Sequence, residues 1–223
     1  MGGKKLQIGV LAVQGSFEEH VKALNQVSNV SNRYDIHVFE IRCKDDITEN
    51  MEGLIIPGGE STTLSVFFKD QEFFEKIKVW INNEKHFVWG TCMGMILLSD
   101  EITDQKVGGQ IQIGGIKIKV ARNYFGRQAQ SFETKLSLTS KDFPSVDSFP
   151  DFHGIFIRAP GVISLLDDSK VQILANLRNS QTGEKEIVAV RQGRLLACSF
   201  HPELTKDYRF HQYFVDIIAT REI

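Results

Sequence analysis

The chain has 223 residues, with 26 Lys and Arg against 28 Asp and Glu, a formal net charge of −2 and a pI near 6.3. Its basic residues are scattered, so nothing in the charge pattern marks it for nucleic acid or an anionic membrane. A chain this long buries roughly 70–75% of its unfolded surface without metal or disulfide, and three cysteines, Cys43, Cys92 and Cys198, make no disulfide framework.

No apolar stretch reaches bilayer length, and a cytoplasmic location is expected. Leu6–Val13 is a nearly unbroken apolar run, which predicts a central strand covered on both faces. Phe17–Val27 has helical spacing, with Phe17, Val21 and Leu24 on one side. The polar stretch Asn25–Asp35 reads as a loop. Ile36–Ile41 and Gly53–Ile56 are the next strands, joined through Asp45–Met51. Helices over Thr62–Phe68 and Gln71–Asn82 follow, then a strand over His86–Trp89. Strands alternating with helices predict an α/β fold with a mostly parallel sheet wrapped on both faces.

After Ser99 the texture changes. Gly108–Val120 and Gln130–Leu138 alternate apolar and polar residues, which predicts a smaller mixed or antiparallel β portion. Asp142–Asp151 is an exposed loop. Gly154–Ile157, Val171–Leu177, Glu186–Arg191 and Leu195–Phe200 are strands, and Tyr208–Ile218 is a closing helix. With no repeat or linker, residues 1–223 are expected to form a single domain.

Three strand ends carry candidate chemistry. Phe87-Val88-Trp89 runs into Gly90-Thr91-Cys92-Met93-Gly94, a Gly-x-Cys-x-Gly pattern at a strand-to-helix junction. In the serine form of this elbow the nucleophile sits on a strained turn. Gly90 and Gly94 let strand and helix approach closely, and a position just before a helix N-terminus favours thiolate. Cys92 is then a nucleophile, or else one more small buried apolar residue.

Leu195–Phe200 runs into His201-Pro202-Glu203. Pro202 restricts His201 to extended geometry, so that Glu203 can be held near the imidazole as in a triad. The alternative is a simple turn. Pro57-Gly58-Gly59-Glu60-Ser61 offers adjacent glycines whose N–H groups can form an oxyanion site, a glycine turn before a helix capped by Ser61 or Thr62, or both. The other histidines, His20, His37, His86, His153 and His211, read as surface or satisfied core residues. No His or Cys spacing suggests a metal.

Together these motifs resemble the class I, triad-type glutamine amidotransferases. Gln14-Gly15, Leu54–Thr63, Arg122–Gln128 with Ser131-Phe132-Glu133, Phe156–Pro160, Ala189–Gly193 and Cys198–Thr205 are similar to the PdxT/SNO family, the glutaminase subunits of two-component pyridoxal 5′-phosphate synthase. The resemblance implies a three-layer sandwich and hydrolysis of L-glutamine to L-glutamate and ammonia through a thioester on Cys92, with His201 shuttling protons and Glu203 orienting it. It implies glutamine contacts from Gly58, Gly59, Glu60, Arg122, Ile157 and Arg158, an oxyanion hole at Gly59 and Met93, and a partner-interface role for Gln14. Taken without the family, Arg122 and Arg158 would be surface residues.

The implied partner is the synthase subunit, in a large hetero-oligomer. No bound cofactor is implied, because pyridoxal 5′-phosphate would be the product of the complex. Two alternatives stand beside this reading: a glutaminase serving another synthase, such as the imidazole glycerol phosphate one, and a catalytically silent partner-binding subunit. Met93 departs from the family, which usually has Ala after the nucleophile.

Overall fold

A computed structural model describes residues 3–31, 33–103, 111–125, 131–145, 147–179 and 183–222. The expected strand start at Gly108, residue Gln130, and the end of the Arg122–Gln128 motif lie outside them. In chain order the elements are β1 Lys4–Leu11, α1 Phe17–Ser31, β2 Tyr34–Ile41, β3 Gly53–Ile56, α2 Ser61–Phe67, α3 Gln71–Asn82, β4 Phe87–Thr91 and α4 Met93–Leu98. Then come β5 Ser99–Thr103, β6 Ile116–Ala121, β7 Ser131–Leu138, β8 Asp151–Ile157, β9 Gly161–Leu165, β10 Gln172–Arg178, β11 Lys185–Gln192, β12 Leu195–Cys198 and α5 Arg209–Thr220.

A nine-stranded sheet runs β2-β1-β3-β4-β12-β11-β10-β7-β8, and a three-stranded sheet runs β5-β6-β9. The apolar runs β1, β3, β4 and β12 pair in parallel, as do β1 and β2. Beyond β12 every pairing in the large sheet is antiparallel. The sheet is therefore mixed, half parallel and half antiparallel. Of the two alternating segments, Gly108–Val120 supplies β6 to the small mixed sheet, as expected, whereas Gln130–Leu138 supplies β7, which with β8, β10 and β11 extends the main sheet. The reason is their connections. The turn at Gly193-Arg194 joins β11 to β12 directly, with Gly193 at φ +54°, and so short a link can only reverse the chain.

The parallel strands send alternate residues to two cores. Leu6, Ile8, Val10, Ile55, Phe87, Trp89 and Leu196 face one side, under α1 and α5. Leu11, Leu54, Ile56, Val88, Leu195 and Ala197 face the other, under α2, α3, α4 and the small sheet. This two-sided burial explains why these strands are apolar throughout.

Two local expectations are corrected. Asn25–Asp35 is not a loop: α1 continues to Ser31 and β2 begins at Tyr34. Val27 carries the apolar stripe of Ala23 and Leu24 one turn further into the core, while Asn25, Gln26 and Asn29 face solvent. Ser28 Oγ accepts the Ile36 N–H at 3.2 Å and donates to Tyr34 O at 3.3 Å, tying the helix end to β2. Second, Ser61 is the first residue of α2, and Glu60 occupies the N-cap without a side-chain capping bond.

Candidate active site

The three strand-end motifs belong to β3, β4 and β12, which are neighbours in the sheet and end at the same edge. That is where ligands sit in open α/β sheets. At the end of β4, Cys92 has φ 49° and ψ −103°, a region that costs a non-glycine residue about 1–3 kcal/mol and needs surrounding structure to hold it. The holding is visible. The Cys92 N–H donates to Cys198 O at 2.8 Å, and the Met95 N–H donates to Cys92 O at 3.1 Å. A Cβ at Gly90 would stand 2.3 Å from Gly94 O, and one at Gly94 would stand 2.2 Å from Ile56 O. Both glycines are demanded by close approach. The helix that follows has only six residues before β5 begins. The thiol's main electrostatic neighbour is therefore the imidazole beside it.

His201 follows β12 with φ −107° and ψ 83°, and its N–H donates to Ile155 O at 2.8 Å. Pro202 opens a 3-10 turn, Pro202–Leu204, that folds Glu203 back under the ring. Nδ1 of His201 lies 2.8 Å from Glu203 Oε1, and the carboxylate is fully buried. Burial alone would push the His201 pKa down. Hydrogen bonds to Cys92 and Glu203, with the charges of both, outweigh it and raise the value to about 10. The raised value favours an imidazolium that donates to a sulfur on one side and a carboxylate on the other.

The glycine loop completes the site. Gly59 has φ +142°, a conformation open to glycine, and a Cβ there would strike the Gln14 side chain at 2.6 Å. The Gly58 N–H donates to Thr91 Oγ1 at 3.2 Å. Neither end of the Gln14 amide has a hydrogen-bond partner among the described residues.

A cleft of about 500 Å³ opens over Cys92, Met93 and His201, and Gly58, Gly59, Glu60, Arg122, Ile157 and Arg158 all line it. Arg122 comes from the end of β6, and Arg158, at φ 44°, from the end of β8. Arg158 Nη2 donates to Glu60 Oε1 at 3.1 Å on the rim. Gly15, Ser16, Ile96, Asn123 and Pro160 also line the cleft, and the sequence reading gave none of them a role. Among the described residues no cluster of His, Cys, Asp or Glu could hold a metal, and no helix is long and apolar enough to cross a membrane.

The remaining histidines have identifiable partners. His86 stacks on Trp80, His37 on Phe39, and exposed His153 pairs with Glu133 at 2.8 Å. His20 and His211 are fully buried behind the triad. Sequence reasoning missed His20; its place in α1, three residues before Ala23 and four before Leu24, marks it as lying on the buried face.

A cysteine on a strained elbow beside a carboxylate-bound histidine, over a cleft with paired charges, is the arrangement that a Cys–His–Glu hydrolase on an α/β fold requires. The SNO glutamine amidotransferase family matches residues 10–220. The chain belongs to that family. It is 40% identical to the probable pyridoxal 5′-phosphate synthase subunit pdx2 of Dictyostelium discoideum, over 98% of this chain and 94% of that one. It is 39% identical to the pyridoxal 5′-phosphate synthase subunit PdxT of Bacillus cytotoxicus, over 96% and 95%. A crystal structure of a glutamine amidotransferase superposes with a TM-score of 0.76 at 37% identity, covering 95% of this chain and 98% of that one.

Proposed function

We propose that this protein is a glutaminase that hydrolyses L-glutamine to L-glutamate and ammonia and delivers the ammonia to a pyridoxal 5′-phosphate synthase subunit, within a large hetero-oligomer. The observation that carries the chemistry is the contact of His201 with Cys92 on one side and Glu203 on the other.

Cys92 Sγ attacks the side-chain amide carbon, and the tetrahedral oxyanion is held by backbone N–H groups at Gly59 and Met93. His201 gives its proton to the departing ammonia, leaving a γ-glutamyl thioester. A water then loses a proton to His201 and attacks the thioester, which releases glutamate and restores Cys92. Glu203 keeps the ring oriented through Nδ1. Arg122 and Arg158 offer charge-assisted hydrogen bonds to the substrate α-carboxylate, and Glu60 faces its ammonium. Arg158 retains donors beyond the one engaged by Glu60. The names of the relatives support the synthase partner, and Gln14, packed on Gly59, is positioned to pass a partner contact to the oxyanion loop.

The test is ammonia release from glutamine with and without an added pyridoxal 5′-phosphate synthase subunit. Stimulation that disappears in Cys92→Ala is the expected result. Substantial turnover by Cys92→Ala would overturn the chemistry. Turnover indifferent to that synthase would assign the protein to a different ammonia acceptor.

A further inference from the structure

Behind the triad, away from the cleft, lie two histidines that the mechanism does not use. His20 of α1 and His211 of α5 are fully buried, and His20 Nδ1 stands 2.9 Å from His211 Nε2. His20 Nε2 stands 3.3 Å from Glu203 Oε2 and 3.4 Å from Thr91 Oγ1. The triad engages only Oε1 of Glu203, and Oε2 makes no well-aligned hydrogen bond with any described residue, His20 included. A buried carboxylate oxygen without a donor is expensive, and the His20 ring nitrogen lies within ion-pair distance of it.

We propose that His20 is a positioning residue whose Nε2–H holds the second oxygen of Glu203, and that His211 fixes the tautomer that places the hydrogen there. The proposal rests on the triad reading above and adds a fourth and fifth group to it. The tautomers follow from the surroundings. A bare lone pair 3.3 Å from a carboxylate oxygen is repelled, and an N–H is attracted, so Nε2 of His20 carries the hydrogen. Nδ1 must then accept, which requires the hydrogen of His211 on Nε2. His211 Nδ1, which has no hydrogen-bond partner among the described residues, is left as a bare acceptor, and that is easier to bury than an unpaired N–H.

Burial favours the neutral form of both rings. Burial pushes His211 down to about 3, and burial together with His211 and His201 pushes His20 well below its ordinary value. No second cation therefore competes with His201 for Glu203. The His20 N–H lies between two acceptors, and the second, Thr91 Oγ1, also accepts the Gly58 N–H. One cluster thus ties the triad carboxylate to the loop of Gly58 and Gly59. Without His20, Glu203 is free to turn about its terminal torsion, and His201 loses a fixed charge partner.

The test compares His20→Gln, whose amide nitrogen reaches the place of Nε2, with His20→Asn, whose amide reaches only the place of Nδ1. The first readout is iodoacetamide alkylation of Cys92 at pH 7, scored on the Cys92 peptide so that Cys43 and Cys198 do not contribute. It needs neither glutamine nor partner, so its failure is separable from failure of the glutaminase assignment. The second is kcat and KM for glutamine with the synthase subunit present. His20→Asn is expected to slow alkylation and lower kcat by about 10-fold or more with KM within about twofold, as losing an outer-shell orienting group does, and His20→Gln to stay within about threefold of wild type.

Equal rates for the two variants would overturn the proposal. Should neither fold, nitrogen-15 spectra of the wild-type imidazoles decide: Nε2–H on both His20 and His211 supports it, and Nδ1–H on His20 overturns it.

Discussion

The nucleophilic role proposed for Cys92 rests on a backbone conformation and a neighbour, and both can be probed one residue at a time. Glu203→Gln keeps the shape of the side chain but turns an acceptor-only carboxylate into an amide that can also donate to Nδ1, inviting the wrong His201 tautomer. By analogy with the serine triads we expect kcat for glutamine to fall by about 10³–10⁴ with KM little changed, measured as ammonia release. His201 titrates near 10 in the folded protein against 6.5 when free. A raised value means that protonation stabilises the fold fully below pH 6.5, and that this contribution fades as pH rises through about 10. The gap in urea midpoint between wild type and His201→Asn should therefore narrow from pH 6.5 to 10, and a constant gap would contradict the assignment. Gly59 is the third residue of this kind. Gly59→Ala must adopt φ +142° and displace Gln14, so turnover should be lost while the circular dichroism spectrum is retained.

At the scale of elements, α1 shows how packing overrides local composition. Residues 25–31 look like a turn, yet Val27 and Ser28 bind them to the core and to β2. Gln26→Pro discriminates between the two readings, since the side chain is exposed and a loop would accept proline. In the helix it should lower stability by about 3 kcal/mol or more, read from chemical denaturation.

The contact between α1 and α5 brings two neutral histidines together, and a depressed His pKa has the opposite linkage to that of His201. The stability that neutral His211 contributes is present above pH 6.5 and is lost as pH falls toward about 3. Replacing it, as in His211→Leu, should make the decline of stability with acid shallower across that window, whatever the change in stability at neutral pH.

For the whole molecule, the decisive feature is that β3, β4 and β12 are adjacent, although 30 or more residues separate each from the next in the chain. Trp89 sits beneath this junction, fully buried, with its ring edge-on to His20 and His211 and packed on Phe210 and Phe214. Trp89→Ala should cost about 3–5 kcal/mol in denaturant unfolding, because it empties a large site that joins sheet, helices and the histidine pair.

By itself the sequence determined the local chemistry of this protein. The elbow at Cys92, the glycine loop at Gly58 and Gly59, and the turn that places Glu203 against His201 are all short-range patterns, readable because a strained turn, a close approach or a proline demands particular residues nearby. The apolar runs of β1, β3, β4 and β12 were readable for the same kind of reason, since burial on both faces leaves no polar alternation. Only the tertiary structure decided what depends on contacts between distant segments. The extension of the sheet by β7, β8, β10 and β11, the strands β5 and β9, and the approach of His20 to Glu203 rest on contacts between separate segments, and the continuation of α1 rests on Val27 in the core and Ser28 bonded to β2. A histidine on an amphipathic helix reads the same whether it meets solvent or a buried carboxylate, and packing alone brought this one within 3.3 Å of the triad.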